Sequence, residues 1–527
     1  MKLFSFCVGA ALWAGASVSV SASTIYYVDV NGANPTPPYA DLSMAAVTIQ
    51  DAVNAANNGD LILVNDGWYQ DGYQTTKPSP ISEYSDTNRV TINKLVTVQS
   101  LNGPTAAFIN GGGTCRCAFV TNGATLSGFT LIYGSAGWVT TVTELGRSLS
   151  KTNISNGGGV TGPTPVGGVL SNCVLTADTA NGSGGGAYGV TLINCVLTGN
   201  QAGIAGGGAF GSALVGCTVT GNQALSPGRS ALIPPGNTSP VPGAGGGIYT
   251  GSAVNCLIAE NTATFGGGAW GASRLVNCTI VGNSSSSYGG AYLNFSGGAG
   301  FTDGLTNCLI YFNSADTNAN FGPDADGSLL NYCCTQPLPI GGLGDITNDP
   351  ALVDFYGGDY HLEADSLLIN SGNNSAVTNS TDLDGNPLIV GGTVDIGCYE
   401  YQTPTSVLSY AWAQQYGLPT DGTADYIDSD GDGMNNWQEF IAGTNPTNAA
   451  SVLTLYAPAA NQFPKGTRVT WQSVNTRTYY LQRSTNLFDP AGFTCLQSNL
   501  TGLAGATSFT DTMATNGGAY FYRVGVQ

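Results

Sequence analysis

Six short segments recur through the middle of the chain on one pattern: Asn or Gly, then Cys, then two residues that favour strands. Cys173, Cys195, Cys217, Cys256, Cys278 and Cys308 mark them, at intervals of 22, 22, 39, 22 and 30 residues. The two long intervals are one period plus an insertion, the first being the Pro-rich Leu225–Val241. Asn follows five residues after five of these cysteines (Asn200, Asn222, Asn261, Asn283, Asn313), with Asp178 after the first. Each unit also carries a glycine run: Gly184–Gly186, Gly206–Gly208, Gly245–Gly247, Gly266–Gly268 and Gly289-Gly290. A fixed period of this length is the mark of a solenoid, in which each unit buries its apolar face against the next. The strand pieces are short and β-branched, and none has helical periodicity. Twenty-two residues suit three short strands and three turns. The expected fold is all-β, a right-handed parallel β-helix of about 22 residues per coil.

Alternation along each strand turns the Cys, and the residue two later (Leu175, Leu197, Val219, Ile258, Ile280, Ile310), to the inside. Parallel neighbours point their Cβ atoms the same way, which disfavours disulfides within the Cys column. Buried apolar filler is the expected role, since unpaired Cys is among the most buried residue types. Glycine supplies turns of positive φ, and Asn tolerates the left-handed region while its amide can stack on the Asn one coil away. Composition agrees: 76 of 527 residues are Gly, roughly twice ordinary usage, and only 9% are charged. That excludes a disordered polyampholyte, a collagen helix and a coiled coil. A net charge of −19 makes nucleic acid and anionic membrane poor partners.

Met1-Lys2, the apolar stretch Leu3–Val20 and Ser21-Ala22-Ser23 read as a secretory signal over residues 1–23, removed with Cys7. The mature chain then has no transmembrane segment, and its expected place is secreted or at the cell surface. The β-helix is expected over 24–402, opened by the short amphipathic helix Ile49–Ala56 as a cap on the first coil.

The stretch Thr48-Ile49-Gln50-Asp51-Ala52, Gly59-Asp60-Leu61-Ile62-Leu63-Val64 and Gly67-Trp68-Tyr69 resembles the opening of bacterial β-helix proteins of the pectin-lyase-like superfamily. The Gly-Gly-Gly and Asn-Cys repeats resemble those of chlamydial polymorphic outer-membrane proteins. Asp349-Pro350-Ala351-Leu352-Val353, Asp359-Tyr360-His361-Leu362, Asp384-Gly385-Asn386-Pro387 and Asp395-Ile396-Gly397-Cys398-Tyr399-Glu400 resemble the choice-of-anchor Q ending, with Cys398 where that family usually has Ala. The resemblance covers residues 25–401 and implies the fold. It is nearly silent on activity, since the superfamily holds lyases, hydrolases and adhesins.

From Thr403 the texture changes, and residues 403–450 read as a helix followed by a loop. Asp428-Ser429-Asp430-Gly431-Asp432-Gly433-Met434-Asn435-Asn436-Trp437-Gln438-Glu439 fits D-x-D-x-D-G-x5-E in full. Asp428, Asp430 and Asp432 offer carboxylates, Met434 its carbonyl, Asn436 its side chain and Glu439 bidentate closure. Hard oxygen ligands in that order favour a structural Ca²⁺. The loop resembles those of dockerins and thrombospondin type 3 repeats, although only one copy is present. Residues 451–527 alternate strand-like runs with turns, which predicts a small C-terminal β-sandwich similar to fibronectin-III-like or immunoglobulin-like tails. The whole chain is expected to be a monomer.

Two function classes remain open. A polysaccharide lyase needs a base and a cation at the substrate carboxylate, and a hydrolase needs convergent carboxylates. The expected outward columns (Val174, Val196, Thr218, Leu257, Thr279, Leu309) carry neither. The one histidine, His361, reads as structural, and Asp303, Asp316, Asp324 and Asp326 read as a solvated loop. The other class is a binding or surface-display protein for polysaccharide or a cell-envelope component. Tyr188, Phe210, Tyr249, Trp270 and Tyr292 each follow a glycine run. They form either an outward ladder for sugar stacking or an interior aromatic stack.

Overall fold

The computed structural model describes residues 23–527 apart from 77–85, 145–146, 154, 164–166, 226–242, 273, 294–303, 322–329, 463 and 516–517. The signal segment, most of the Leu225–Val241 insertion, and Asp303, Asp324 and Asp326 therefore lie outside the described residues.

The repeat folds as a parallel β-helix. Val174–Thr176, Val196–Thr198, Thr218–Thr220, Leu257–Ala259, Thr279–Val281 and Leu309–Tyr311 pair in parallel, residue for residue at the sequence period. Two further faces complete each coil. One is the large sheet containing Thr191–Ile193 and Ala209–Val215, and the other is the narrow sheet of Gln201–Ala202 and Gln223–Ala224. The interior is a continuous apolar column with Leu170, Leu192, Leu214, Leu175, Leu197 and Val219 at 0–1% exposure. Burial of each such side chain is worth about 1.5–3 kcal/mol.

The cysteine column is inside, and every thiol in it is unpaired. Each Sγ–H points back to the carbonyl two residues earlier, from Cys173 to Ser171 at 3.3 Å through Cys308 to Thr306 at 3.3 Å. Cys therefore fills the corner as an apolar group, and its thiol adds a weak second bond to a carbonyl that already accepts a backbone N–H from the adjoining coil, as Ile193 O does from Asn172 N at 3.0 Å. Cys333 adds a step that the spacing did not reveal, bonding Asn331 in the same way.

The two Asn positions of the repeat do different work. Asn172, Asn194, Asn255, Asn277 and Asn307, just before the cysteines, all sit at φ of 49–55°, and Gly216 takes the same place at 61°. These are the left-handed corners. The Asn five residues after Cys is a buried ladder instead. The Asn200 amide donates to Asn222 Oδ1 (2.9 Å), Asn222 to Asn261 (3.0 Å), Asn261 to Asn283 (2.9 Å) and Asn283 to Asn313 (3.0 Å).

Positive φ explains only the first glycine of each run. At Gly207 a Cβ would lie 2.4 Å from the Gly246 carbonyl oxygen, so the middle glycines are there because adjacent coils touch backbone to backbone.

Helix α1 (Ile49–Ala55) closes the first coil, burying Ile49, Gln50, Ala52 and Val53. Gln50 accepts from Thr91 N at 2.7 Å and donates to Thr91 O at 3.3 Å, occupying backbone groups at the edge of the first coil. The last part of the span expected to be β-helix does not form a coil. Residues 350–401 lie across the outside of the coils as a clasp. Tyr360, Leu362, Leu368, Ile396 and Cys398 pack on Leu257, Val281, Leu309 and Cys334. Cys398 N donates to Thr279 Oγ1 at 3.1 Å and Gly397 N to Asn307 O at 3.0 Å. This corrects the outward column: Leu257, Thr279 and Leu309 do point out, but the clasp buries them to 1–6% exposure.

Helices α2 (Tyr410–Gln415) and α3 (Asn436–Ala442) flank the acidic loop. The chain then forms two three-stranded antiparallel sheets. Trp471 of one and Tyr479 of the other, both at 0% exposure, meet with ring centroids 5.9 Å apart, which makes the pair a sandwich.

Candidate functional site: aromatic surfaces and an acidic loop

Alternation decides the direction of the aromatic column. Ala187, Ala209, Ile248 and Ala269 are at 0% exposure in the interior, so their neighbours Tyr188, Phe210, Tyr249 and Trp270 turn outward. The rings stack at the spacing of the strands. Tyr188–Phe210 and Phe210–Tyr249 centroids are 4.9 Å apart at 7°, and Tyr249–Trp270 are 6.4 Å apart at 4°. Tyr292 does not continue the register. Its backbone pairs with Ala269, and Leu293 pairs with Trp270. Gly289-Gly290-Ala291 replaces a three-glycine run, so counting from the end of the run misplaces the ring by one residue. The Tyr292 side chain lies outside the described residues.

Outward direction is not the same as access. Ile204, Ala205, Ala244 and Phe265 pack over the far end and leave Tyr249 at 7% and Trp270 at 5% exposure. Near-parallel rings also shield one another's faces, so the ladder offers edges along most of its length. Tyr188 is different: the next residue in its register is Thr161, not a ring. Tyr188 and Phe210 are half-buried. A second aromatic pair escaped the sequence reading. Trp68 stacks on Phe108 at 4.4 Å and 7°, in strands paired in register, and Trp68 is 45% exposed. The signal was present in Gly67-Trp68-Tyr69 and Ala107-Phe108-Ile109, but their 40-residue separation hid it from a search at 22.

In the acidic loop, carboxyl oxygens of Asp428, Asp430 and Asp432 lie within 4.8 Å of one another. The loop is shaped by its own carboxylates: Gly431 N donates to Asp428 at 2.8 Å, Gly433 N to Asp428 at 3.0 Å and Met434 N to Asp432 at 2.8 Å. Asn435 then caps α3 in a reciprocal capping box with Gln438. Four buried oxygens are left without a hydrogen-bond partner: Asp430 Oδ2, Asp432 Oδ2, Asn436 Oδ1 and Glu439 Oε2. The Asn436 amide nitrogen is held by Ala424 O at 2.8 Å, which fixes which end of that side chain remains unpaired. Glu439 is pushed up to about 7, first by burial and then by the Asp430 charge. Orphaned buried oxygens amid like charges are the condition that a hard cation relieves, and this donor set fits Ca²⁺. Met434 is half-buried at the position where the loop would offer a carbonyl.

Three other charged groups are held by structural partners. Arg116, 2% exposed, pairs with Asp86 at 3.0 Å and donates to Asn88 and Gly157 O. His361 lies between Asp359 (2.6 Å) and Asp384 (2.7 Å), over the Tyr399 ring. Burial disfavours the charged imidazole, but the two carboxylates outweigh it and hold the pKa above its ordinary value. Asp395 and Glu400 of the clasp are held high by burial, and all four of their carboxyl oxygens accept backbone amides.

No protein-family profile matches the chain, and no curated protein sequence matches it. Among solved structures it is similar to pectate lyase Pel9A, at 15% identity and a TM-score of 0.42 over 73% of this chain and 98% of that one. A rhamnogalacturonan lyase is similar at 12% and 0.30, over 70% and 96%. XylC in complex with xylose is similar at 9% and 0.31, over 72% and 98%. Likenesses of this size carry no activity over to this chain. No helix among the described residues is long and apolar enough to cross a membrane.

Proposed function

We propose that this chain is an exported, glycan-binding β-helix protein whose C-terminal sandwich is joined to the coils through a Ca²⁺-holding loop. The observation that supports binding is the open aromatic pair Trp68–Phe108, together with the half-buried Tyr188 and Phe210, on outer faces that are otherwise Thr, Val and Ala. Flat apolar rings beside hydroxyl side chains suit the apolar face of a sugar and its hydroxyls. Support for binding over cleavage comes from the charged groups: among the described residues, the Arg116–Asp86 pair, the Asp–His–Asp group and the Asp395–Glu400 pair are each used by the fold.

Asp428, Asp430, Asp432, Asn436 and Glu439, with the Met434 carbonyl, would hold the ion. Bound there, Ca²⁺ would offset two of the loop's negative charges and tie Asn436 and Glu439 of α3 to the three aspartates. The test is retention of the protein on a panel of neutral and uronic-acid polysaccharides, with ultraviolet absorbance of the same mixtures followed in parallel. Retention that falls on Trp68→Ala, without rising absorbance, supports the reading. An unsaturated, absorbing product replaces it with a polysaccharide lyase. Neither retention nor product would leave surface display alone.

A further inference from the structure

The coils, the loop segment and the sandwich meet around a cleft of about 360 Å³. Its walls include Tyr332 from the coils, Asn373 from the clasp, Trp412 of α2, Phe440 of α3, and Thr476 and Arg477 of the sandwich. That volume falls in the range of small-molecule sites and suits one or two sugar rings. The cleft joins an aromatic wall to a set of unspent donors.

Arg477 is the decisive residue. Its Nε donates to Ile441 O at 2.8 Å and one Nη2 hydrogen to Phe440 O at 2.9 Å, both at the C-terminal end of α3. Its Nη1 reaches the Tyr332 hydroxyl at 3.5 Å. A guanidinium has five N–H donors, so one remains on each terminal nitrogen for a charge-assisted bond to a carboxylate. Among the described residues Arg477 makes no ion pair, in a chain of net charge −19. Two other donors at the cleft, the Thr476 hydroxyl and the Trp412 indole N–H, have no protein partner among the described residues. The Trp412 ring stands 5.4 Å from that of Phe440 and gives the cleft an apolar wall.

We propose that this cleft binds a single carboxylate-bearing sugar residue: Arg477 takes the carboxylate, the Trp412–Phe440 wall takes the ring, and Thr476 meets a hydroxyl. The site is separate from the coil faces, and it stands whether or not those bind glycan. The test titrates the full-length protein in calcium with glucuronate and with glucose, read by calorimetry and by tryptophan fluorescence. Glucuronate should bind saturably at one site, with glucose at least about tenfold weaker, the size expected for loss of a charge-assisted bond. Arg477→Lys keeps the charge but not the fork and should cost about tenfold. Thr476→Trp, which fills the cleft without removing a hydrogen bond, should abolish binding at an unchanged melting temperature. The absence of saturable glucuronate binding, equal affinity for glucose, or binding that survives in a folded Thr476→Trp variant would each overturn the proposal. Should Thr476→Trp not fold, an Arg477→Lys protein that folds and binds glucuronate as tightly as the parent does the same.

Discussion

Asn222→Ala tests whether the buried amide ladder holds the coils together. Asn222 is fully buried, and its Oδ1 accepts both Asn200 N (3.0 Å) and Asn200 Nδ2 (2.9 Å). Its own amide serves Leu197 O (2.9 Å), Thr220 O (3.1 Å) and Asn261 Oδ1 (3.0 Å). After truncation the Asn200 main-chain N–H loses its acceptor. The Asn200 side chain keeps Leu175 O at 2.9 Å, and Asn261 Oδ1 keeps Asn222 N at 2.9 Å, so the damage is one orphaned donor plus four other lost contacts, which rest on one hydrogen of Asn200 Nδ2 and two of Asn222 Nδ2 and so amount to three bonds. At about 1–3 kcal/mol for the orphan and about 1 for each net bond, the cost is about 4–6 kcal/mol. Gln223→Ala is the control one residue away. Its Oε1 accepts from Gln201 Nε2 at 3.0 Å in the same ladder geometry but in partial contact with solvent, so its loss should cost under about 1 kcal/mol. Urea unfolding followed by circular dichroism measures both. In a solenoid each unit contacts only its neighbours, so Asn200→Ala and Asn222→Ala should be strongly non-additive, while Asn200→Ala and Asn313→Ala should add. Equal costs for Asn222→Ala and Gln223→Ala would refute the reasoning.

Gly207→Ala should destabilise severely, because its Cβ meets the Gly246 carbonyl oxygen at 2.4 Å, whereas Gly199→Ala, with nothing within 4 Å, should cost only its left-handed strain of about 1–2 kcal/mol; melting temperatures decide the order. Asp178 heads the Asn ladder with Oδ2 buried and unpartnered, and burial holds its pKa well above 3.8. Its folded form therefore binds the proton more tightly than the unfolded chain, so stability is full below the unfolded value and is lost as pH rises through the folded value. Asp178→Asn should accordingly be the more stable protein at pH 7, by a margin that shrinks toward pH 4; a margin independent of pH would contradict this. Removing Ca²⁺ with a chelator should lower the melting temperature of the C-terminal part by the equivalent of about 1.4 kcal/mol when calcium stood tenfold above its Kd. Glu439→Gln should reduce that calcium-dependent shift.

The coil was legible because its determinants repeat: Asn-Cys gave the corner, the later Asn gave the ladder, and the period gave the register of the six strands that follow the cysteines, from Val174–Thr176 to Leu309–Tyr311. The acidic loop was legible because twelve contiguous residues define it. What failed depended on relations that no local pattern carries. Tyr292 was misplaced because Ala291 stands where earlier coils have Gly268. The accessibility of Tyr249 and Trp270 depended on Phe265 and Ile204, which belong to other columns. A resemblance to an ending puts residues 350–401 within the β-helix span, but they meet the outside of earlier coils through pairs such as Tyr360–Glu260, 100 residues apart. The cleft joins Tyr332 to Arg477 across 145 residues, and nothing near either residue announces the other.

The cysteine column has a consequence for handling the protein at the bench. Of the twelve cysteines among the described residues, all unpaired, eleven are buried and only Cys495, on an outer strand of the sandwich, is exposed. Of these twelve thiols, Cys495 should thus react quickly with a thiol reagent and the other eleven only as the fold opens. A maleimide dye placed at Cys495 would label the tail at one position without any engineered residue. Counting modified thiols by mass during unfolding would then time the fraying of the solenoid coil by coil.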